Sequence, residues 1–110
     1  GFPNMSYRYM RMILFFDLPT ETSQERREYT RFRKYLLKSG FMMMQESVYC
    51  KIALNQTVVN SLYDSLQKNK PGKGLIQVLT VTEKQFSKME FILGEYHGDI
   101  INTDERFVEL

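Results

Sequence analysis

The run Arg11–Pro19, R-M-I-L-F-F-D-L-P, constrains the fold more than any other stretch of this chain. Five consecutive apolar residues, Met12–Phe16, are followed by one acid, Asp17, and two positions later by a proline. A short run that is apolar throughout and contains Ile and two Phe predicts a β-strand buried on both faces. Proline has no N–H to donate to a neighbouring strand, so pairing is expected to end near Leu18. Asp17 is therefore expected at the C-terminal end of this strand, at the solvent boundary, where a carboxylate is well placed to hold a metal ion.

A helix is predicted directly after this strand. Thr22 and Glu25 have the spacing of a capping box, in which each residue caps the backbone of the other. We expect the helix to run to Ser39, because Gly40 is the residue type that most readily adopts the left-handed conformation at a helix end.

The predicted helix has two different faces. At about 100° per residue, Tyr29, Phe32 and Leu36 fall together and form a core-facing stripe. Four cations fall together on the opposite side: Arg27, Arg31, Lys34 and Lys38. With no acid among them these charges repel one another. Such a face indicates either contact with a polyanion or ordinary solvation, and the sequence leaves both interpretations open.

The stretch Phe41–Leu54 has β character and is expected to form two strands that turn near Gln45 and Glu46. Three consecutive methionines at its start predict flexible core packing. Asn55 is expected to cap a second helix. The buried side of that helix is predicted to contain five residues: Val58, Val59, Leu62, Tyr63 and Leu66.

A basic loop with proline and glycine, Lys68–Gly74, ends the second helix. Its lysines and backbone amides suit a phosphate contact, although the spacing is not that of a P-loop. A strongly apolar strand is predicted over Leu75–Val81. The capping-box spacing recurs at Thr82, so a short helix is expected to begin there and to reach Lys88 or Met89.

The predicted order is β-α-β-β-α-β, which is typical of an α+β ferredoxin-like domain with both helices on one face of an antiparallel sheet. We expect the other, apolar face to be covered by a second copy, giving a sheet-to-sheet homodimer. The ferredoxin-like domain is assigned to residues 5–94, and residues 95–110 to a loop and an extra C-terminal strand. That strand is expected to serve dimer or partner docking through five residues: Arg106, Phe107, Val108, Glu109 and Leu110.

Length and composition agree with one domain. A chain of 110 residues, 43% hydrophobic and 25% charged, is large enough for one core. The single cysteine, Cys50, cannot form an intrachain disulfide, and we expect a cytoplasmic protein. No apolar run reaches the roughly 18–20 residues of a membrane span, so no membrane association is expected. Gly1–Asn4, ahead of Met5, are expected to be a remnant of an expression vector and are left out of the fold prediction.

Charge is distributed unevenly along the chain. From Met5 to Thr82 there are 12 Lys and Arg against 6 Asp and Glu, and from Glu83 to Leu110 there are 3 against 7. A basic body with an acidic tail favours contact with polyanions, while a solvated mixed surface is the alternative.

Few residues could carry catalysis. There is one histidine, His97, in a polar stretch that predicts an exposed loop, and there is no zinc-type cluster. Asp17 is the remaining candidate, and a lone Asp at a strand end is also an ordinary turn residue. One carboxylate is a poor Mg²⁺ site, but a two-fold dimer would supply a second Asp17. Two such carboxylates could hold a metal against a phosphodiester.

Four segments, taken in this order along the chain, resemble the Cas-two (Cas2) family of CRISPR-associated proteins: Met12–Pro19, Arg31–Leu36, Gln45–Tyr49 and Leu79–Phe86. The lead-in Tyr7–Met12 and the tetrapeptide Thr103–Arg106 resemble the type II-A branch of that family. The resemblance spans Met5 to Leu110.

The resemblance implies a ferredoxin-like homodimer that works beside the Cas-one (Cas1) integrase in spacer acquisition. In that role the dimer bridges two integrase dimers and lays duplex prespacer DNA, destined for the CRISPR repeat array, across its basic surface. The last strand would complete the partner's sheet and contribute to integrase docking. The resemblance also implies a Mg²⁺-dependent endonuclease acting on RNA or DNA, with Asp17 as metal ligand and catalytic residue.

Three hypotheses follow. The first is a scaffold that binds duplex DNA through its phosphates, using some of eight cations: Arg8, Arg11, Arg27, Arg31, Lys34, Lys38, Lys70 and Lys73. The second is a metal-dependent phosphodiesterase built on paired Asp17 residues. The third is a ferredoxin-like module that senses a small molecule.

Overall fold

The computed structural model describes residues 9–95. Within them the chain forms seven elements in the order βαββαβα. The strands are β1 (Met10–Asp17), β2 (Met42–Gln45), β3 (Val48–Ala53) and β4 (Leu75–Thr82). The helices are α1 (Ser23–Lys38), α2 (Gln56–Asn69) and α3 (Glu83–Phe86). The four strands form one antiparallel sheet in the order β2-β3-β1-β4, which confirms the predicted ferredoxin-like arrangement.

Strand β1 lies at the centre of the sheet, and its side chains alternate between two faces. Met12, Leu14 and Phe16 point to the face covered by the helices and belong to the main core. Arg11 and Ile13 lie on the opposite face, where they are also buried. Burial on both faces is therefore confirmed for the middle of the strand. It fails at Phe15, which is 37% exposed, because the second face is covered at only one end.

Helix α1 begins and ends as the sequence predicts. Thr22 is the N-cap, and the capping box with Glu25 is formed in both directions. The helix ends at Lys38 with Ser39 as C-cap, and Gly40 follows with φ of +94°. Phe32 and Leu36 are buried in the core, so the predicted apolar stripe is confirmed.

The predicted hairpin and the second helix are also present. Strands β2 and β3 turn at Glu46 and Ser47, and a register irregularity lies between Met43 and Gln45. The Asn55 side chain accepts a hydrogen bond from the Val58 N–H and caps α2.

One prediction about α2 is wrong. Tyr63, expected on the buried side of this helix, is 48% exposed. Helix α2 packs on β1 and β3, so the side of the helix where Tyr63 lies borders an open cleft beside β4.

After β4 the chain crosses to the second face of the sheet. The capping box of Thr82 and Gln85 forms as predicted, but α3 ends at Phe86 and does not reach Lys88 or Met89 as a helix. Helix α3 packs on β1 and β4. It covers one end of the second face, where Cys50 and Ile13 are buried.

Several predictions lie outside the described residues. These are the vector remnant at Gly1–Asn4, the cation Arg8, the loop with His97, and the last strand at Arg106–Leu110. Among residues 9–95, no helix combines the length and apolar character that crossing a membrane requires.

Candidate nucleic-acid interface

The outer face of α1 carries the predicted cationic surface. Arg27, Arg31, Lys34 and Lys38 are all exposed, and within residues 9–95 none of them forms an ion pair. At a rise of 1.5 Å per residue the row is about 16 Å long. We call these four residues the α1 cationic row.

A shallow trough of about 560 Å³ runs along part of this row. It is lined by six residues, none of them acidic: Ser23, Arg26, Arg27, Thr30, Arg31 and Lys34. Since Arg27, Arg31 and Lys34 have no anionic partner in the described part of the protein, they are available to an external polyanion.

The two remaining arginines of α1 have internal partners. Arg26 Nη1 donates to the carbonyl oxygens of Thr20 and Glu21 at 3.1 and 2.9 Å and so ties the helix to the preceding loop. Arg33 Nε donates to the hydroxyl of buried Tyr49 at 2.9 Å, and this hydrogen bond raises the pKa of Arg33. Neither arginine is among the predicted nucleic-acid contacts.

Lys70 and Lys73 lie on the loop between α2 and β4, and both are exposed. Lys70 Nζ donates to Gln67 Oε1 at 2.9 Å. The pKa of Glu25 is lowered chiefly by the hydrogen bond from the Thr22 backbone, and the positive charge of Lys73 lowers it further. The α2–β4 loop is therefore close to the beginning of α1.

Arg11 does not belong to the exposed cations. It is buried, and its guanidinium forms a two-bond ion pair with Glu83, in which Nε donates to Oε1 at 2.9 Å. Its Nη1 also donates to Cys50 Sγ at 3.4 Å, and the Phe86 ring lies 4.1 Å from the guanidinium carbon. Because this cation is fully engaged inside the protein, we remove Arg11 from the set of expected phosphate contacts.

The surroundings of Arg11 shift two pKa values. Burial by itself lowers the pKa of Arg11, but the hydrogen bonds to Glu83 and Cys50 outweigh burial and raise it overall. Burial raises the pKa of the Cys50 thiol, although Arg11 opposes the effect. The cluster therefore keeps a charged arginine beside a neutral thiol and fixes α3 on the sheet.

Asp17 lies where the sequence predicts, exposed at the C-terminal end of β1 and paired in register with Leu75. A small cleft of about 200 Å³ beside it is lined mainly by apolar groups such as Phe15 and Val48, and Asp17 is the one carboxylate in that lining. Among the described residues, no group of three or more His, Cys, Asp or Glu could hold a metal ion. The residues that the structure describes therefore do not by themselves supply the several oxygen ligands of a Mg²⁺ site.

The fold and the surface together define a class: a small ferredoxin-like α+β domain with both long helices on one sheet face and an unpaired cationic row on the outer side of α1. A family model described as CRISPR associated protein Cas2 matches residues 10–89. The chain belongs to the CRISPR-associated Cas2 family.

Individual relatives agree with this assignment. A protein of Treponema denticola named CRISPR-associated endoribonuclease Cas2 is 57% identical over 101 residues, which cover 92% of this chain and 100% of the relative. A protein of the same name from Streptococcus mutans serotype c (strain UA159) is 50% identical, over 92% of this chain and 93% of the relative. Another, from Ligilactobacillus salivarius, is 42% identical, over 92% of this chain and 100% of the relative. A solved structure described as a crystal structure of cas2 has a TM-score of 0.57 at 19% identity, covering 83% of this chain and 93% of that one, and supports the fold alone.

Two features of the molecule are not evident from the sequence. The Arg11–Glu83 ion pair joins residues that are 72 positions apart, so no local sequence pattern predicts it. The row of Tyr63, Gln67 and Lys70 along α2 was missed because Tyr63 was assigned to the core. Its spacing of four and then three residues is the signal that could have revealed it.

Proposed function

We propose that this protein is a CRISPR adaptation subunit that dimerises, binds duplex prespacer DNA through its phosphates, and bridges two dimers of the Cas1 integrase. Membership of the Cas2 family supports the CRISPR setting. The observation that carries the DNA-binding part of the proposal is the α1 cationic row, which has no acidic partner within residues 9–95.

The geometry of the row suits a phosphate backbone. A row of four cations about 16 Å long on α1 is long enough to contact more than one phosphate of a duplex. Arg and Lys are the side chains that most often contact phosphates, and such contacts carry no sequence information. We therefore expect duplex binding with little sequence preference and a strong dependence on salt.

The proposed dimer would be formed by the second face of the sheet. Phe15, Ile52, Leu75 and Leu79 lie on this face in the observed register, and each is between 37% and 54% exposed. An uncovered apolar surface of this kind is typical of an interface with another protein. A second copy packed there would place two α1 cationic rows on opposite sides of one particle.

Docking to the Cas1 integrase is assigned to the C-terminal segment, residues 95–110, and in particular to Arg106–Leu110. This part of the proposal rests on the family and on the acidic composition of the tail.

Salt-dependent binding of a blunt DNA duplex tests the DNA-binding proposal. The slope of log K against log salt is about −0.9 for each phosphate contact, so Arg27→Ala and Arg31→Ala should each flatten it by about 0.9, and together by about 1.8. Lys88→Ala is the matched control, because it removes one exposed charge beyond α3, on the other side of the sheet. Slopes that do not change in the α1 variants, or that change equally in the control, would contradict the proposal.

A metal-dependent endonuclease acting on RNA or DNA is the second candidate. It is favoured by the exposed carboxylate of Asp17 at the end of β1, and the relatives of this chain are named endoribonucleases. Since residues 9–95 contain no group of three or more such ligands, this candidate uses a second Asp17 from another copy, with the ion shared between them.

Cleavage of a labelled RNA and of a labelled DNA tests the second candidate. Asp17→Ala and added EDTA should each abolish cleavage, while Asp64→Ala, which removes an exposed aspartate from α2, should leave it unchanged. Cleavage that survives Asp17→Ala would rule this candidate out.

A further inference from the structure

A polar side chain, Gln77, lies within the uncovered apolar part of the second face of the sheet. The residues of β4 alternate between the two faces, so Leu75, Gln77 and Leu79 lie together on the second face, and all three are exposed. Gln77 is directly opposite Phe15 of β1 in the register, and both residues line the same small cleft. Gln77 is therefore surrounded by apolar side chains, on its own strand and on the neighbouring one.

The carboxamide of Gln77 has no hydrogen-bond partner among residues 9–95. Two other exposed glutamines, Gln56 and Gln67, each donate to a residue of their own helix. In a single copy, water can satisfy the Gln77 amide. If another protein covers the second face, that water is removed, and an amide left without a partner opposes the association. Whatever covers this face must therefore supply both a donor and an acceptor at Gln77.

We propose that Gln77 pairs with the Gln77 of a second copy, and that this pairing selects both the partner of the second face and its orientation. The inference rests on the dimer of the proposed function and names the residue that makes this dimer specific. A carboxamide has N–H donors and a carbonyl acceptor. Across a two-fold axis, each Gln77 can donate one N–H to the carbonyl oxygen of the other, because a residue close to such an axis meets its own copy.

The chemistry of this surface favours a second copy over a different protein. A carboxylate would satisfy only the N–H groups of the Gln77 amide, and an ammonium group would satisfy only its oxygen, whereas another carboxamide satisfies both. The apolar neighbours Phe15, Leu75 and Leu79 are matched equally well by their own copies. A wholly apolar partner would leave the amide unpaired, so Gln77 discriminates against it. A single buried polar residue can fix the register of an association in this way, at some loss of affinity.

Charge-swap variants of the full chain test the pairing. If Gln77 meets its own copy, Gln77→Glu and Gln77→Lys each bring like charges together, and each should weaken self-association by about tenfold or more. An equimolar mixture of the two variants should associate within about threefold of the wild type, because unlike charges then meet. Sedimentation equilibrium measures the dissociation constants. Native mass spectrometry, with one variant labelled with heavy nitrogen, identifies the mixed dimer.

Gln77→Leu removes the carboxamide from both copies at once. Replacing both partners of a hydrogen bond by apolar groups is nearly neutral, so this change should weaken association by less than about threefold, or should tighten it. Gln56→Glu and Gln56→Lys are the matched controls, because Gln56 is exposed on α2, which packs on the other face of the sheet. Neither control should change the dissociation constant by more than about twofold.

The outcomes decide separately on the dimer and on Gln77. A wild-type protein that stays monomeric would overturn the proposed dimer and this inference with it. A wild-type dimer that neither charge variant weakens, or that the mixture fails to restore, would leave the dimer standing and exclude the Gln77 pair. If Gln77→Lys tightens association while Gln77→Glu weakens it, Gln77 faces an acid of the second copy, and the self-pairing is wrong. Weakening of tenfold or more by Gln77→Leu would contradict the pairing as well, because it would show that a different polar group had lost its partner.

Discussion

Replacing Glu83 with glutamine removes the partner of the buried Arg11 guanidinium while keeping the shape of the side chain. The ion pair has two charge-assisted hydrogen bonds, and the side chains are 9% and 21% exposed for Arg11 and Glu83. Breaking a fully buried pair costs about 3–5 kcal/mol, and a hydrogen bond to a charged group contributes about 1.5–3 kcal/mol. Because Glu83 retains some contact with water, we expect Glu83→Gln to lower the free energy of unfolding by about 2–3 kcal/mol.

Urea titration at fixed protein concentration measures this loss, and thermal melting should show a drop of roughly 8–20 °C. Glu90→Gln is the matched control, since it neutralises an exposed acid in the same part of the chain, and should change stability by less than about 0.5 kcal/mol. Combining Arg11→Met with Glu83→Leu should be less destabilising than the sum of the two single changes, because neither charge is then left alone in the protein.

A Glu83→Gln variant as stable as the wild type would refute this reasoning. It would mean that the ion pair does not hold α3 on the sheet.

Three further predictions concern backbone strain, thiol burial and acid titration. Gly74→Ala should lower the free energy of unfolding, measured by urea titration, by about 2 kcal/mol or more, because φ is +111° and an added Cβ would lie 2.6 Å from the Leu18 side chain. Gly72→Ala is the control: an added Cβ there meets nothing within 4 Å, so the free energy of unfolding should change by less than about 0.5 kcal/mol. Equal effects of the two changes would contradict the assigned loop geometry. Cys50 is buried and the pKa of its thiol is raised, so a thiol reagent should label it far more slowly in the folded protein than in urea, and equal rates would show that α3 does not cover it. The pKa of Glu25 is lowered in the folded state, so the stabilising effect of its carboxylate is present above the ordinary pKa of 4.5 and is lost as the pH falls through the lowered pKa. The difference in melting temperature between the wild type and Glu25→Gln should therefore shrink in acid. A difference that stays constant would exclude this titration.

The elements that the sequence predicts well are those set by local chemistry. The capping boxes at Thr22 and Thr82, the cap at Asn55 and the left-handed Gly40 each depend on residues a few positions apart, and all four are present. The same is true of the α1 cationic row, because helical periodicity alone places those side chains on one face.

The features that the sequence could not supply depend on how separate elements pack. Tyr63 has the correct spacing for the core, but α2 is placed over β1 and β3, and this leaves the tyrosine at the rim of a cleft. Arg11 is a cation of the kind that contacts DNA. In the folded protein, however, it forms an ion pair with Glu83, which lies 72 positions later in the sequence. Periodicity identifies a face of an element and does not say which neighbour that face will meet.

Mapping amide chemical-shift changes on adding a blunt duplex tests most directly whether the α1 cationic row is the DNA-binding surface. The account predicts that the largest changes lie on α1, at Arg27, Arg31 and Lys34, and that they fade as salt is raised. Changes concentrated on the second face of the sheet, around Ile52 and Leu79, with α1 unaffected at any salt concentration, would contradict it.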